Sequence, residues 1–440
     1  MQIPQPKLTF ILGVAFLLGG GGAPYPAQNM LVQVMCVAIA CWPPRGQSEP
    51  VDFRTIDRHL LALLAASVLL PALQAMKLPP AIWTALPGRD LVMQSLEAIG
   101  VPEAWMSYSV DPARTLLAAL SLIPAVATAI LVSHLEPKER NHSLILLVGI
   151  GLAMIAIGAV QLASGNRILI PFNQIRNPNQ LHGLFAYHNA AGIFLVICLI
   201  IVVVAPQQLR DLRKDLALRG FVVLIFGVGV VLTQSRSSLV LAILPLGIVI
   251  WKALAGFRKT TISRRTMAGV ATAGFVGLVA VGTLLLANNK VEQTLARFEN
   301  LEDVRPAIWE DSRTTLATYW PAGSGMGTFT TVFPIHESLE NLVPAVTNRA
   351  HNDFLELGIE AGAAGYLLLG AWIVYILAGG GWTVKNKDQK AQNMIAVTAF
   401  LAIAGQSVID YPLRNEAMLA VAGILAGLLA RPPLSKGKRL

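Results

Sequence analysis

Charge is scarce in this sequence: Asp, Glu, Lys and Arg make up 13% of its 440 residues, about half the share of a soluble globular domain. That is too little to clothe two or three water-soluble domains, and it also excludes a disordered chain or a coiled coil. Cysteine is scarcer still. Cys36, Cys41 and Cys198 all fall in apolar runs, so neither a disulfide framework nor a cysteine-held zinc site is supported. There is no HExxH helix motif, no G-x-S-x-G nucleophile elbow and no Asp-x-Asp pair. The last absence removes the usual carboxylate clamp of a metal-dependent glycosyl or phosphoryl transferase.

What the chain has in quantity is apolar sequence: 54% of residues are hydrophobic and the mean hydropathy is +0.59. A spanning helix needs about 20 mostly apolar residues. By that measure twelve runs qualify, near 8–23, 28–42, 59–76, 115–134, 143–164, 189–205, 220–235, 238–256, 267–287, 355–379, 392–409 and 415–431. The expected fold class is therefore an all-α polytopic membrane protein with about 12 transmembrane helices, residues 1–440 forming a single transmembrane domain. The first run has Lys7 before it and small residues after it, as a signal peptide does; with so many spans following, it reads as an uncleaved anchor.

The excess of 34 Lys and Arg over 25 Asp and Glu gives +9 and a pI near 9.6, which in a soluble protein would suggest nucleic acid. Partitioned by side it means something else. With both termini cytoplasmic, 22 of the basic and eight of the acidic residues fall inside, a balance of +14; the remaining 12 and 17 leave −5 outside. This is the positive-inside pattern of a multi-pass membrane protein, and no nucleic-acid partner is expected. Three outer connections are long: 77–114, 165–188 and 288–352, the last being the large loop between predicted spans 9 and 10. Function concentrates in such loops. Within the largest, Val291–Asn300 reads as an amphipathic helix, and Gly323-Ser-Gly-Met-Gly327 reads as a turn because no P-loop lysine accompanies it.

Several outer residues are chemically suggestive. In His351-Asn-Asp-Phe-Leu-Glu-Leu-Gly-Ile-Glu-Ala-Gly-Ala-Ala-Gly365, a helical wheel sets His351 over Gly358, Gly362 and Gly365 and turns Asp353, Glu356 and Glu360 to the opposite face. The Gly358-x-x-x-Gly362 spacing predicts close approach of another helix. Carboxylates at the start of a membrane helix require water, a cation or the helix N-terminus. The plainer alternative is a solvated helix start capped by Asn348 or Asn352. Arg236, within Thr233-Gln-Ser-Arg-Ser-Ser238, either snorkels or forms an anion cradle with its small polar neighbours. Arg305, in Arg305-Pro-Ala-Ile-Trp309, either binds an anion or pairs with Glu302, Asp303 or Glu310. Tyr187-His-Asn189 and Asp410-Tyr-Pro-Leu-Arg414 read as helix boundaries or structural pairings.

Taken in order, these residues resemble the bacterial O-antigen ligase and polymerase family of polytopic inner-membrane glycosyltransferases, over about 170–430. His351 and Asn352, followed at family spacing by Gly362 and Gly365, resemble its ligase signature; Ser235-Arg236 its Ser-Arg element; Arg305 with Trp309 the start of its large periplasmic loop; and Gly183–Gly192, with Asn189, its earlier Asn-containing span. The resemblance implies a GT-C type fold and an active site on the periplasmic side of the inner membrane. It implies transfer of a glycan from undecaprenyl pyrophosphate to a sugar hydroxyl of lipid A core, inverting, with membrane lipids around it. His351 is then the expected base, Arg236 and Arg305 the pyrophosphate-binding residues, and Asn352, Asn189, Gly362 and Gly365 supporting positions. No metal or other cofactor is expected. The residue chemistry agrees: guanidinium forks suit a pyrophosphate leaving group, and imidazole suits proton removal near neutrality. An O-antigen or exopolysaccharide polymerase, or a protein O-oligosaccharyltransferase, is the alternative within the family. A lipid-linked glycan transporter is the alternative outside it, disfavoured because the ionisable residues gather at the outer helix ends rather than the midplane.

Overall fold

The computed structural model describes residues 5–42, 56–172, 177, 179–257, 305–342, 347–381 and 386–432. It is a helical assembly: α1 (Pro6–Leu18), α2 (Pro26–Cys41), α3 (Arg58–Gln74), α4 (Pro80–Trp83), α5 (Asp90–Ala98), α6 (Pro112–Leu120), α7 (Ile123–Ser133), α8 (Pro137–Ala163), α9 (His188–Val204), α10 (Leu212–Thr233), α11 (Arg236–Leu241), α12 (Ile243–Phe257), α13 (Arg305–Tyr319), α14 (Phe329–Val332), α15 (Asp353–Gly379), α16 (Lys387–Ser407) and α17 (Glu416–Leu429). Two short strands, β1 (Lys77–Leu78) and β2 (Met106–Ser107), pair antiparallel. Helices stand at eleven of the twelve positions where spans are predicted; the ninth, 267–287, and the amphipathic stretch 291–300 lie outside the described residues. Among the described residues, four helical stretches are long and apolar enough to cross a membrane: Pro112–Ser133, which joins α6 to α7, together with α8, α10 and α15.

Helix α9 is apolar all round and buried from Ala190 to Val202, as a central helix must be; α8, α10, α11, α12 and α16 surround it. Small residues set the closest helix pair. A Cβ at Gly423 would strike the Ala125 carbonyl and one at Gly427 would lie 2.8 Å from the Ala129 carbonyl, so α17 and α7 approach backbone to backbone. Thr128 adds a 2.9 Å hydrogen bond from Oγ1 to the Ala420 carbonyl. This Gly-x-x-x-Gly seam does what the sequence leads one to expect of Gly358 and Gly362.

Gly362 serves a different purpose. Its φ of 56° and ψ of −144° break α15, and a Cβ there would collide with the Pro321 carbonyl. The break frees the Ile359 and Glu360 carbonyls, which accept from Ser324 N (2.9 Å) and Gly325 N (2.8 Å), while Ala363 N donates to Pro321 O (2.9 Å). The glycine-rich turn 323–327 is thus docked into a helix interruption, with Gln74 at the end of α3 bridging both through Glu360 O (3.1 Å) and Met326 N (3.0 Å). The expected helix–helix contact holds at Gly358, where a Cβ would lie 3.0 Å from Leu316 of α13, and is replaced by loop insertion at Gly362, because a helical wheel holds only as far as the helix does. Gly362→Ala is expected to cost at least about 1–3 kcal/mol for the backbone conformation alone, read as a lowered unfolding temperature of the purified protein.

Candidate active site

The residues with chemistry gather where several helices end together: the starts of α9, α15 and α17 and the end of α16. His351 precedes α15 with a left-handed φ of 50°, a conformation that non-glycine residues hold only when their surroundings enforce it. What enforces it is visible on both sides. Asn352 caps the helix, its side chain accepting from Leu355 N at 3.0 Å. Ahead of His351, Trp309 Nε1 donates to the Ala350 carbonyl at 2.9 Å, and Ala350 N donates to Glu356 Oε2 at 3.1 Å. A small second core of Tyr319, Phe329, Val332, Phe333, Ala350 and Ile359 fixes α13, α14 and the outer half of α15 as one piece.

His351 Nδ1 lies 3.7 Å from Asp410 Oδ1, and its ring centroid is 5.0 Å from that of Tyr411. Gln406 Nε2 donates to the other Asp410 oxygen at 3.3 Å. Burial pushes the Asp410 carboxyl up, but the adjacent imidazole, the Tyr411 backbone N–H and the charge of Arg305 outweigh it and hold the group below the usual range. Asp410 therefore stays ionised at neutral pH and presents a carboxylate to Nδ1. At 3.7 Å the carboxylate and Nδ1 face each other beyond direct hydrogen-bond distance. A carboxyl whose pKa is lower folded than unfolded stabilises the fold above the ordinary aspartate range, and the contribution is lost as pH falls through the depressed value. The thermal stabilities of the wild type and Asp410→Asn should therefore differ most near neutral pH and converge in acid; a gap that widens on acidification would contradict this.

Asp353, Glu356 and Glu360 meet a cation. Arg414 reaches all three: Nε to Asp353 Oδ1 at 3.2 Å, Nη2 to Glu356 Oε1 at 3.1 Å and Nη1 to Glu360 Oε2 at 3.5 Å. Arg349 adds a 2.6 Å pair to Glu356. The reading of Asp410–Arg414 as a helix boundary or structural pairing agrees with these contacts. Arg414 pairs structurally and locks the α16–α17 turn to α15, and the same turn thereby delivers Asp410 to His351.

A cavity of about 30 Å3 lies behind this pair, walled by Tyr187, Asn189, Arg349, Gln406, Asp410 and Arg414 among others. That is room for only a few waters. Asn189 and Asp410 thus share one cavity wall. Arg305 opens α13 close enough for its charge to act on Asp410. Arg236 opens α11 at a corner where Gln234 turns left-handed and Ser235 caps with its side chain. That corner packs against α9, since a Cβ on Gly192 would strike Ser238 Oγ, one turn along from Asn189. Arg236 and Arg305 are outside the cavity wall, and Gly362 and Gly365 sit further down α15, where Gly362 makes the break.

Residues 221–370 match the sequence model of the O-antigen ligase family. The stretch runs from within α10 to within α15 and contains Arg236, Arg305 and His351, while Asn189, Asp410 and Arg414 lie beyond it. No curated protein matches the chain.

Proposed function

Taking the chain as a membrane protein of the O-antigen ligase family, we propose that it transfers a glycan from undecaprenyl pyrophosphate to a sugar hydroxyl of lipid A core. The observation that carries the reading is the His351–Asp410 pair, 3.7 Å apart, within electrostatic reach of Arg305. In this mechanism Nε2 of His351 takes the proton from the acceptor hydroxyl, and Asp410 stabilises the imidazolium that results. The hydroxyl oxygen forms its bond to the anomeric carbon as the bond to pyrophosphate breaks, inverting the centre. Arg236 and Arg305 bind the pyrophosphate and stabilise the charge that develops as it leaves. Asn189 and Asn352 support the site, the latter by fixing the helix start behind His351. No metal has a part in these steps. By the positive-inside distribution of Lys and Arg, the site faces the periplasm from the inner membrane and both termini are cytoplasmic.

The family comprises ligases and polymerases of glycans, and they differ in the acceptor. Purified protein given a lipid-linked glycan donor together with both lipid A core and a second lipid-linked glycan should build product on the core. Product only on the lipid-linked glycan would replace the ligase assignment with a polymerase.

A further inference from the structure

We propose that residues 79–105, the arm between β1 and β2, rest on the surface of the lipid bilayer at the end of the helix bundle that carries His351, with Ile99, Val101 and Trp105 in the interface. One side of the arm is fixed to the protein. Within the arm, fully buried Trp83 donates from Nε1 to the Ala104 carbonyl at 3.0 Å, which holds its two limbs together; the tie to the rest of the protein is Arg89. Buried Arg89 donates to the carbonyls of Tyr108 (2.6 Å) and Gly323 (3.3 Å) and lies 5.6 Å from the centre of the Tyr319 ring. The other side is apolar and uncovered: Ile82, Leu91, Ile99, Val101 and Trp105 are all exposed, Ile99 to 71% and Trp105 to 60%.

Helix α5 has no buried residue, yet it is amphipathic. At 100° per residue, Val92, Leu96 and Ile99 fall within about 40° of one direction, and Asp90, Gln94 and Glu97 within about 40° of the opposite one. Val92 and Leu96 are half-buried while Leu91 and Ile99 are exposed, and apolar side chains left so uncovered suit the interfacial plane of a bilayer, where tryptophan also concentrates.

The bilayer is favoured over a second protein by continuity. The arm leaves α3 directly after exposed Leu69, Leu73 and Met76 and returns to α6, whose Leu116, Leu117 and Leu120 are exposed too. The antiparallel register Lys77 to Ser107 and Leu78 to Met106 holds its two ends together at that level. The apolar strip therefore runs from the lipid-facing sides of two helices onto the arm, broken by Lys77, whose long stem lets its ammonium snorkel. Asp90 and Glu97, turned away from that strip, keep the other face of α5 in water. Because Arg89 ties the arm to the loop docked at the α15 break, lipid contact on one side steadies the second core on the other.

The test uses the full-length protein with exposed Cys41 replaced by serine, leaving Cys36 and Cys198 buried, in nanodiscs of phosphatidylcholine and phosphatidylethanolamine. An environment-sensitive fluorophore is attached in turn at Ile99→Cys, Trp105→Cys and Gln94→Cys. The expected result is at least twofold stronger quenching by shallow spin-labelled lipid at 99 and 105 than at 94, with the order reversed for aqueous iodide. Equal iodide access at all three positions would overturn the proposal. Protection of 99 and 105 from both quenchers would also overturn it, because protein would then be the cover.

Discussion

Replacing His351 by alanine is expected to slow glycan transfer by about 10²–10⁴-fold, the usual contribution of a positioned general base. The acceptor hydroxyl is a poor nucleophile while it keeps its proton, and the proposed role of His351 in taking it rests on a left-handed backbone, an Asn352 cap behind it and the Asp410 carboxylate 3.7 Å from Nδ1. The loss should appear in turnover more than in acceptor affinity, since the proton moves only in the transition state. The variant should fold, because His351 is only half-buried and the ion pairs of Arg414 do not include it. His351→Gln, which can hydrogen-bond but cannot take up a proton, separates base from positioning group. A Gln variant near wild-type rate would reduce His351 to a positioning residue.

The largest effect on stability is expected at Arg414. Arg414→Ala leaves Asp353, Glu356 and Glu360 without their shared cation; Glu356 keeps a cation in Arg349, whereas Asp353 keeps the Ser407 hydroxyl and Glu360 the Phe329 backbone N–H. Removing one side of a buried ion pair typically costs about 3–5 kcal/mol, because the charge left behind is neither hydrated nor paired. Arg414→Lys should fall between wild type and alanine, for an ammonium is a point charge and cannot fork to three carboxylates. Thermal unfolding of the three purified proteins checks the order. A stable Arg414→Ala would mean that the carboxylates reach water or take up protons. Loss of His351 and loss of Arg414 should thus have opposite signatures, one kinetic with the fold intact and the other structural.

The helical layout is legible because apolar runs of spanning length have few other uses, and the structure has helices wherever the described residues cover such a run. His351, Asn189 and Arg305 are legible as polar groups at helix ends on one side of the chain. The roles of Asp410 and Arg414 are not, since their partners lie 59 and 54–61 positions away in sequence and nothing local distinguishes a delivered carboxylate from a boundary one. The break at Gly362 is hidden for a related reason. The apolar pattern runs on through Ala363 to Gly379, so a glycine within it reads as a packing position until the loop that fills the gap is seen. Arg236 is legible as a polar corner, and the structure places that corner against α9 near Asn189.

Single-turnover transfer in EDTA, by wild type and His351→Ala side by side with the lipid-linked donor and the lipid A core acceptor, tests the central claim most directly. The account predicts that the wild type keeps its full rate in EDTA while the variant falls by at least about 10²-fold. A wild type that stops when metal is removed, or a variant that keeps its rate, would contradict it.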